Sequence, residues 1–346
     1  MRRLPILVSL VLGLGCADAT EPLPPPVELL LVVHRTDATL VLLPADASGP
    51  GNSIPLGGAG ASPTTVAAFN GIALVPLGAE PAVAVVDLEA QSVVRTIQLP
   101  ANSGATGVAI VDDSLAYVAN PNRNSVTRVN YRNGDTASVA VGLTPQAVLF
   151  TRGKIYVSNA NLDNGSPLSP GWVSVVDPVT NRLATGVDSI PLSPPGNPGS
   201  GAVAQDGLIY LMNAGPETGI GDGRLSIVDP VGREELASFK GFGHFPGQVA
   251  TNGVDRLYIS SLSQGLMVFD LLKRQVLRGA GNGVAVPTNT GVAVDREGRI
   301  YALEGGGCDG SDAGQVHIYR RNLTLIRSIA VDDCPVAALI TEVPGT

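Results

Sequence analysis

The sequence predicts an all-β fold, a seven-bladed β-propeller whose blades are four-stranded antiparallel sheets. Three observations lead to this prediction. A short apolar strand that ends in a small or polar residue occurs seven times, at intervals of roughly 40 to 55 residues, which is the length of one blade. Glycine (42 residues) and proline (27 residues) are abundant in the 346-residue chain, as many tight turns require. Long stretches of helical periodicity are missing, so packed helices are not expected.

The N-terminal residues have the pattern of an export signal. Two arginines precede an apolar run at 4–15, which is too short to span a membrane, and small residues follow it. We therefore expect residues 1–15 to be a signal peptide. The letters LGLG before Cys16 resemble the lipobox of bacterial lipoproteins and predict lipidation of Cys16; cleavage after ADA, before Thr20, is the alternative. The proline-rich residues 16–26 would then hold the lipid anchor and form an extended tether.

Each repeat contains three recognisable strands. The seven copies of the first are LLVVH (30–34), IALVP (72–76), AYVAN (116–120), IYVSN (155–159), IYLMN (209–213), LYISS (257–261) and IYALE (300–304). The second strand is VAVVD (83–87), VSVVD (173–177), LSIVD (225–229) or LMVFD (266–270). Its terminal Asp is expected to accept turn amides two residues on. The third strand, for example TGVAVD (290–295), is made of small residues, which fit where seven strands crowd around an axis.

The first and last repeats are incomplete in a complementary way. The first starts at the second strand of a blade, and the last ends with a lone inner strand, CPVAALITEV (334–343). Closing the ring therefore requires this C-terminal strand to join the three N-terminal strands, which also removes free sheet edges. We expect residues 27–346 to form one propeller domain that is closed in this way.

The strands carry a family resemblance. AYVAN, IYVSN and IYLMN, together with VSVVD and GVAVD, resemble the YVTN (YncE-like) β-propeller repeats of bacterial envelope proteins. The stretch PTNTGVAVDREGRIYAL (287–303) is also similar to an NHL repeat. The resemblance extends over residues 27–343 and implies the propeller fold and an envelope location. It implies no particular activity, because the roles in this family are varied.

The three cysteines, Cys16, Cys308 and Cys334, fit an exported protein. In such a blade, the loop after the first repeat strand and the loop that enters the small-residue strand lie on the same face. Cys308 and Cys334 occupy these two loops at the closing seam, so their sulfurs approach each other. With Cys16 lipidated, we predict a Cys308–Cys334 disulfide; two free thiols are the alternative and fit an exported protein poorly.

The first strand of each repeat is the second strand of its blade, counted from the axis. The ends of these seven strands form a ring of positions on one face. Its members are His34, Pro76, Asn120, Asn159, Asn213, Ser261 and Glu304. Asparagines at strand ends also satisfy loop amides, which is a purely structural role. His34 and Glu304 belong to neighbouring blades across the seam, where the carboxylate could orient the imidazole and raise its pKa in a ligand or proton-handling site.

The candidate ligand-face residues are therefore His34, Asn120, Asn159, Asn213 and Glu304, with His244 added because its loop enters an inner strand. Two long loops, 159–172 and 213–224, lie on the same face. Trp172, the only tryptophan, ends the first of them as either a contact residue or a cover over the blade.

The glycine-rich stretch 304–315 contains two weak calcium candidates, Asp309 and Asp312. Carboxylates and backbone carbonyls are the oxygen ligands that calcium prefers. The spacing matches no EF-hand, however, and solvated turns have the same composition. We predict no metal site and no cofactor, with calcium as the alternative.

Composition and motifs narrow the function. A net charge of −8 without clustered Lys and Arg argues against nucleic acid, and nucleophile-elbow, phosphate-loop and CxxC motifs are missing. We expect an exported monomer, held at the bacterial cell envelope only by its lipid. Its loop-rich face would bind a protein, peptide or glycan without catalysis. The alternative is a calcium-dependent lactonase or lyase, for which Asp295 is the clearest channel-facing carboxylate.

Overall fold

A computed structural model describes residues 26–46, 48–163, 165–168, 170–216, 223–309 and 312–344. Seven antiparallel sheets surround a central axis, which confirms the predicted seven-bladed propeller; six have four strands, and in the seventh the fourth strand is split into two short segments. The proposed signal peptide and Cys16 lie outside the described residues. In the ranges that the structure describes, no helix is long and apolar enough to cross a membrane.

The strands follow the repeats. The chain starts with β1 (Val27–His34), β2 (Thr39–Pro44) and β3 (Asn52–Pro55). Blade 1 contains β4 (Ala67–Phe69), β5 (Ile72–Pro76), β6 (Ala82–Asp87) and β7 (Ser92–Gln98). Blade 2 contains β8 (Val108–Ile110), β9 (Leu115–Asn120), β10 (Ser125–Asn130) and β11 (Thr136–Ala140), with a 3₁₀ turn at Pro121–Arg123. Blade 3 contains β12 (Pro145–Thr151), β13 (Lys154–Asn159), the hairpin β14 (Leu162–Asp163) and β15 (Ser166–Pro167), β16 (Trp172–Asp177), β17 (Arg182–Leu183) and β18 (Ser189–Pro191).

The second half continues in the same order. Blade 4 contains β19 (Pro198–Val203), β20 (Ile209–Asn213), β21 (Arg224–Asp229) and β22 (Glu234–Lys240). Blade 5 contains β23 (Pro246–Thr251), β24 (Arg256–Ser261), β25 (Gly265–Asp270) and β26 (Gln275–Arg278). Blade 6 contains β27 (Asn289–Val294), β28 (Ile300–Glu304), β29 (Gly314–Tyr319) and β30 (Leu325–Val331). The last strand is β31 (Pro335–Val343).

The closing blade joins the two ends of the propeller. Its strand order is β3-β2-β1-β31, so the C-terminal strand is innermost and the N-terminal strands complete the sheet, as predicted. β1 and β31 pair in antiparallel register from Val27 opposite Val343 to His34 opposite Pro335. These backbone hydrogen bonds hold the ring closed, because they link strands from opposite ends of the chain.

The antiparallel topology gives the ring two different faces. On the upper face, inner strands begin and loops connect the second strand of each blade to the third. On the lower face, turns connect the first strand to the second and the third to the fourth. In blades 1, 3, 4 and 5 the third strand ends in an Asp whose carboxylate accepts the amide two residues on, as Asp87 does from Glu89 (3.0 Å) and Asp177 does from Val179 (2.9 Å). The turns that follow these third strands are therefore short and well determined.

Blade-to-blade packing forms the core. Aliphatic side chains such as Val33, Leu40, Val75 and Val86 are fully buried between the closing blade and blade 1. Blades 2 to 6 each bury one tyrosine in the second strand: Tyr117, Tyr156, Tyr210, Tyr258 and Tyr301. Three hydroxyls bond to the lower turn of the next blade: Tyr117 to Asn181 Oδ1 (2.9 Å), Tyr156 to Pro230 O (2.8 Å) and Tyr301 to Ala45 O (2.6 Å). These tyrosines thus link neighbouring blades as well as filling the core.

Candidate functional site

The predicted disulfide is present on the upper face, at the closing seam. Cys308 lies in the loop between β28 and β29, Cys334 directly precedes β31, and their Cα atoms are 4.5 Å apart. The Cys334 backbone also donates to Gly305 O (3.2 Å) and accepts from the Arg35 amide (3.0 Å). The disulfide therefore connects blade 6 to the point where β31 enters the ring, and a disulfide is compatible with an exported protein.

Asp333 organises the backbone around this disulfide. Its carboxylate accepts from the Cys308 amide (3.0 Å) and from the Thr36 hydroxyl (3.3 Å). Its backbone carbonyl lies 3.2 Å from Nδ1 of His34. One residue thus bonds to both sides of the seam, which fixes the upper rim between blade 6 and the closing blade.

The structure corrects the predicted pairing of His34 with Glu304. Glu304 Oε2 lies 2.7 Å from Nε2 of His317. The cross-strand partner of Glu304 is Gln315 on β29, and His317 follows two residues later on that strand. His34 is fully buried, and its Nε2 has no hydrogen-bond partner among the described residues. Burial lowers the pKa of His34 rather than raising it, because the charged imidazolium would lose its hydration.

The asparagines of the predicted ligand face also lie inside the molecule. Asn120, Asn159 and Asn213 are fully buried at the ends of β9, β13 and β20. Their side-chain amides donate to hydroxyls of the adjacent third strands: Asn120 to Thr127 (2.8 Å), Asn159 to Ser174 (3.0 Å) and Asn213 to Ser226 (2.8 Å). The positions are the ends of the second strands as expected, but the side chains are buried and bond within their own blades.

A channel of about 740 Å³ runs along the axis and is lined by the inner strands of all seven blades. Small aliphatic residues predominate, and the polar members are Arg35, Thr64, Thr65, Thr106, Gln146, Ser200, Gln248, Thr251 and Thr290. Gln248 bridges three inner strands, since its amide donates to Ala338 O (2.7 Å) and accepts from Val292 N (3.2 Å). Sequence reasoning missed this residue, although a long amide among small residues was a visible signal.

Arg35 is the only charged residue among the described residues that line the channel. It follows His34 at the upper mouth, where its side chain is exposed to solvent but has protein atoms around part of it. This partial burial lowers the pKa of its guanidinium, and no carboxylate of the described chain forms an ion pair with it. An unpaired guanidinium at a channel mouth can bind a carboxylate or another anionic group.

Asp295 does not face the channel, contrary to the prediction. It is 4% exposed at the lower end of β27, where its carboxylate bonds to the Arg299 guanidinium and to the Tyr301 hydroxyl (2.8 Å). The Asp295 side chain lies between blade 6 and the closing blade, where its hydrogen bonds stabilise the seam. The lactonase or lyase alternative thereby loses its clearest carboxylate.

The calcium candidates lie in the loop that carries Cys308. Asp309 and Asp312 flank two residues outside the described ranges. Within the part of the chain that the structure describes, no three His, Cys, Asp or Glu side chains group in a way that would hold a metal ion.

Apolar side chains are exposed on the upper face next to the long loop of blade 3. Leu143 and Leu168 are 38% and 60% exposed, and the backbones of both bond to Asn161 (3.0 Å each). Trp172 is half-buried and packs over Gly142, where a Cβ atom would come within 2.3 Å of its ring. Trp172 thus covers the blade, while the two leucines offer apolar surface to a partner.

His244 lies on the upper face of blade 5, in the loop that enters β23. Its ring is half-buried and contacts that of Phe245, with centroids 3.8 Å apart. Its backbone carbonyl accepts from the hydroxyls of Ser261 (3.0 Å) and Ser263 (2.7 Å). Of the predicted ligand-face residues, His244 and Glu304 are the two that remain partly exposed.

No family model and no curated protein matches this chain. Among solved structures, a chain described as Kuenenia stuttgartiensis hydrazine synthase is similar, with a TM-score of 0.62 and 14% sequence identity. The match covers 82% of this chain and 96% of that chain. At this identity the similarity shows the propeller fold alone, and membership of the YVTN family stays a prediction.

Proposed function

We propose that this chain is an exported propeller, anchored to the bacterial cell envelope through Cys16, that binds a partner on its upper face without catalysis. The observation that carries the proposal is the composition of that face. It combines a channel mouth containing Arg35, a cation without an ion pair among the described residues, with the exposed leucines Leu143 and Leu168. The disulfide at the seam holds the backbone beside Arg35, whose amide donates to Cys334 O (3.0 Å), and fixing this part of the surface lowers the entropic cost of binding.

A polypeptide with an acidic group fits these features better than a glycan. Binding becomes more favourable when a partner covers the apolar surface of aliphatic side chains. The guanidinium of Arg35 would pair with a carboxylate that reaches into the channel mouth. Because the channel offers no described carboxylate, a cationic ligand has no counter-charge there.

The test is capture of a partner from a detergent-solubilised envelope extract on the immobilised chain. The captured component is then purified, and its affinity is measured by calorimetry for the wild type, for Leu143→Ser with Leu168→Ser, and for Arg35→Gln. We expect each change to weaken binding about tenfold, because each removes apolar burial or a charged hydrogen bond.

The matched control changes exposed apolar residues of the opposite face, Val179→Ser with Val231→Ser, and should bind as the wild type does. Equal affinity of the upper-face variants and the wild type contradicts the proposal, as does an extract from which nothing is retained. A captured glycan would keep the upper face as the site but reject the polypeptide.

A further inference from the structure

The lower face carries the three most exposed large apolar side chains of the described residues. Val179, Val231 and Leu272 are 87%, 73% and 74% exposed. Each lies at the tip of the turn between the third and fourth strands, in blades 3, 4 and 5 respectively. The three tips therefore occupy equivalent positions in three consecutive repeats.

Turn geometry explains why these side chains cannot pack against their own blades. The Asp that ends each third strand accepts the amide of the tip residue: Asp177 from Val179 (2.9 Å), Asp229 from Val231 (2.7 Å) and Asp270 from Leu272 (3.0 Å). This hydrogen bond fixes the tip backbone and directs the side chain away from the sheet. The exposure is thus built into the turn rather than left by a missing neighbour.

The aliphatic tips are confined to these three blades. At the same turn position the other four blades carry polar or charged residues: Asp46, Glu89, Arg132 and Arg321. The fold itself therefore does not demand an apolar tip. The choice of Val, Val and Leu on one side of the ring needs another cause, and a binding surface supplies one.

Cations surround the three tips. Segments 178–182, 230–233 and 271–274 contain Arg182, Arg233, Lys273 and Arg274 and no Asp or Glu. Arg233 donates to two backbone carbonyls, Thr185 O (2.8 Å) and Val187 O (2.7 Å), rather than to a carboxylate. The nearby capping carboxylates Asp177 and Asp270 already pair with Lys154 and Arg256. The third capping carboxylate, Asp229, and Glu234 also lie at the turn of blade 4, and neither has an ion pair among the described residues. The four cations therefore outnumber these two carboxylates at the three turns.

The shape of this surface indicates the kind of partner. Single side chains at equivalent turns of a disc lie at one level, which suits a flat surface better than a protein with separate pockets. Aliphatic tips among cations are the combination that anchors proteins at the interface of anionic bilayers. The chain also enters the ring on this face, at Val27, with 26 residues before it.

We propose that the lower face of blades 3 to 5 rests on an anionic phospholipid bilayer, with Val179, Val231 and Leu272 inserted at the interface. The upper face, with the channel mouth and long loops, then points away from the lipid. This orientation is independent of what the upper face binds and of whether Cys16 carries a lipid.

The test uses the full chain with Cys16→Ser, so that an introduced cysteine is the only free thiol. A nitrobenzoxadiazole probe is attached at Val179→Cys, Val231→Cys or Leu272→Cys, and at the upper-face controls Leu143→Cys, Leu168→Cys or Leu262→Cys, which replace exposed residues. Each protein is mixed with vesicles of phosphatidylglycerol and phosphatidylcholine in equal parts, or of phosphatidylcholine alone. We expect a blue shift and a severalfold gain of emission at the lower positions with phosphatidylglycerol only.

The combined change Arg182→Gln, Lys273→Gln and Arg274→Gln tests whether the cations of the lower face attract the anionic bilayer. It should reduce the vesicle affinity of the lower face by at least tenfold, since each cation near an anionic surface contributes substantially. Residues 1–25 are the same in every protein, so the difference between faces and between charge variants is the readout. A silent lower face, a responding upper face, or a response unaffected by the three Gln changes would each overturn the proposal.

Discussion

Removing the Cys308–Cys334 disulfide should destabilise the propeller by opening its seam. We consider Cys308→Ala with Cys334→Ala, because alanine leaves no polar group at Cys334, which is 1% exposed. The disulfide spans 26 positions of the chain. In the chain-entropy treatment, a loop of this length corresponds to about 3.5 kcal/mol at 25 °C.

The location of the disulfide determines where the loss is felt. Ring closure depends on the β1–β31 pairing, and the bonds of Asp333 and Arg35 beside the disulfide hold the same point. Those bonds remain in the variant, so the ring should still close but open more often. With the unfolding entropy of a domain of this size, the loss corresponds to a fall in Tm of about 5 °C.

Thermal and urea unfolding followed by circular dichroism measure this change, with Cys16→Ser as the control that removes a cysteine outside the seam. Hydrogen exchange should accelerate first in β1 and β31, since local opening precedes global unfolding. A loss below about 1 kcal/mol, far from the chain-entropy value, would refute the stabilising role of the disulfide. That role is refuted equally if Cys308 of the wild type reacts with an alkylating reagent without prior reduction.

Two further changes test the buried polar groups. Tyr301→Phe should cost about 1 to 2 kcal/mol of unfolding free energy, because it removes the hydroxyl that bonds to Ala45 O and to Asp295. Tyr258→Phe is the control and should cost clearly less, because the Tyr258 hydroxyl has no hydrogen bond among the described residues. Equal losses in the two variants would contradict the role of the Tyr301 hydrogen bonds. Lowering the pH from about 7.5 to about 5.5 should destabilise the wild type, because His34 takes up a proton near 6.5 in the unfolded chain but only at lower pH when folded. His34→Gln should flatten this dependence in urea titrations, and an unchanged slope would show that His34 is not responsible.

The fold was predictable because the relevant signals are local and repeated. Apolar second strands and small inner-strand residues recur in every blade, and four third strands end in Asp, so one interpretation is tested several times within a single chain. The closing blade followed from the same repeats, since an inner strand at one end and three outer strands at the other have only each other to pair with. The disulfide then followed from the positions of two loops on one face.

Side-chain direction at the strand ends was not predictable in the same way. The repeat correctly placed Asn120, Asn159 and Asn213 at the ends of second strands, but other segments decide whether they meet solvent. Above Asn159, for example, the backbone at Gly142 comes from the loop that enters blade 3, and a Cβ atom there would lie 2.5 Å from the Asn159 side chain. Whether a strand end is covered thus depends on how a loop from another part of the blade packs over it, which the repeat pattern does not specify.

The partner of Glu304 was within reach of sequence reasoning. Once GQVHIY is aligned as a third strand, Glu304 stands opposite Gln315, and His317 is the diagonal neighbour on the same face. Diagonal cross-strand pairs of long side chains contact each other within one sheet, whereas a contact across the seam requires two blades to approach. His317, which belongs to the same blade, therefore pairs with the Glu304 carboxylate. His34 is buried without a carboxylate partner in the described part of the chain, and burial lowers its pKa.

The two faces differ because the same repeat uses two kinds of connection. Upper loops differ widely in length, so they can change a binding surface without disturbing the sheets. In blades 1, 3, 4 and 5 the lower turn after the third strand is short and capped by Asp, which leaves the tip residue as the main position that can vary. An Asp-Pro-Val turn thus predicts both a tight turn and an exposed valine, and only the first was evident before the structure. Because tips and loops vary independently, attachment through the lower face and recognition through the upper face can coexist on one rigid ring.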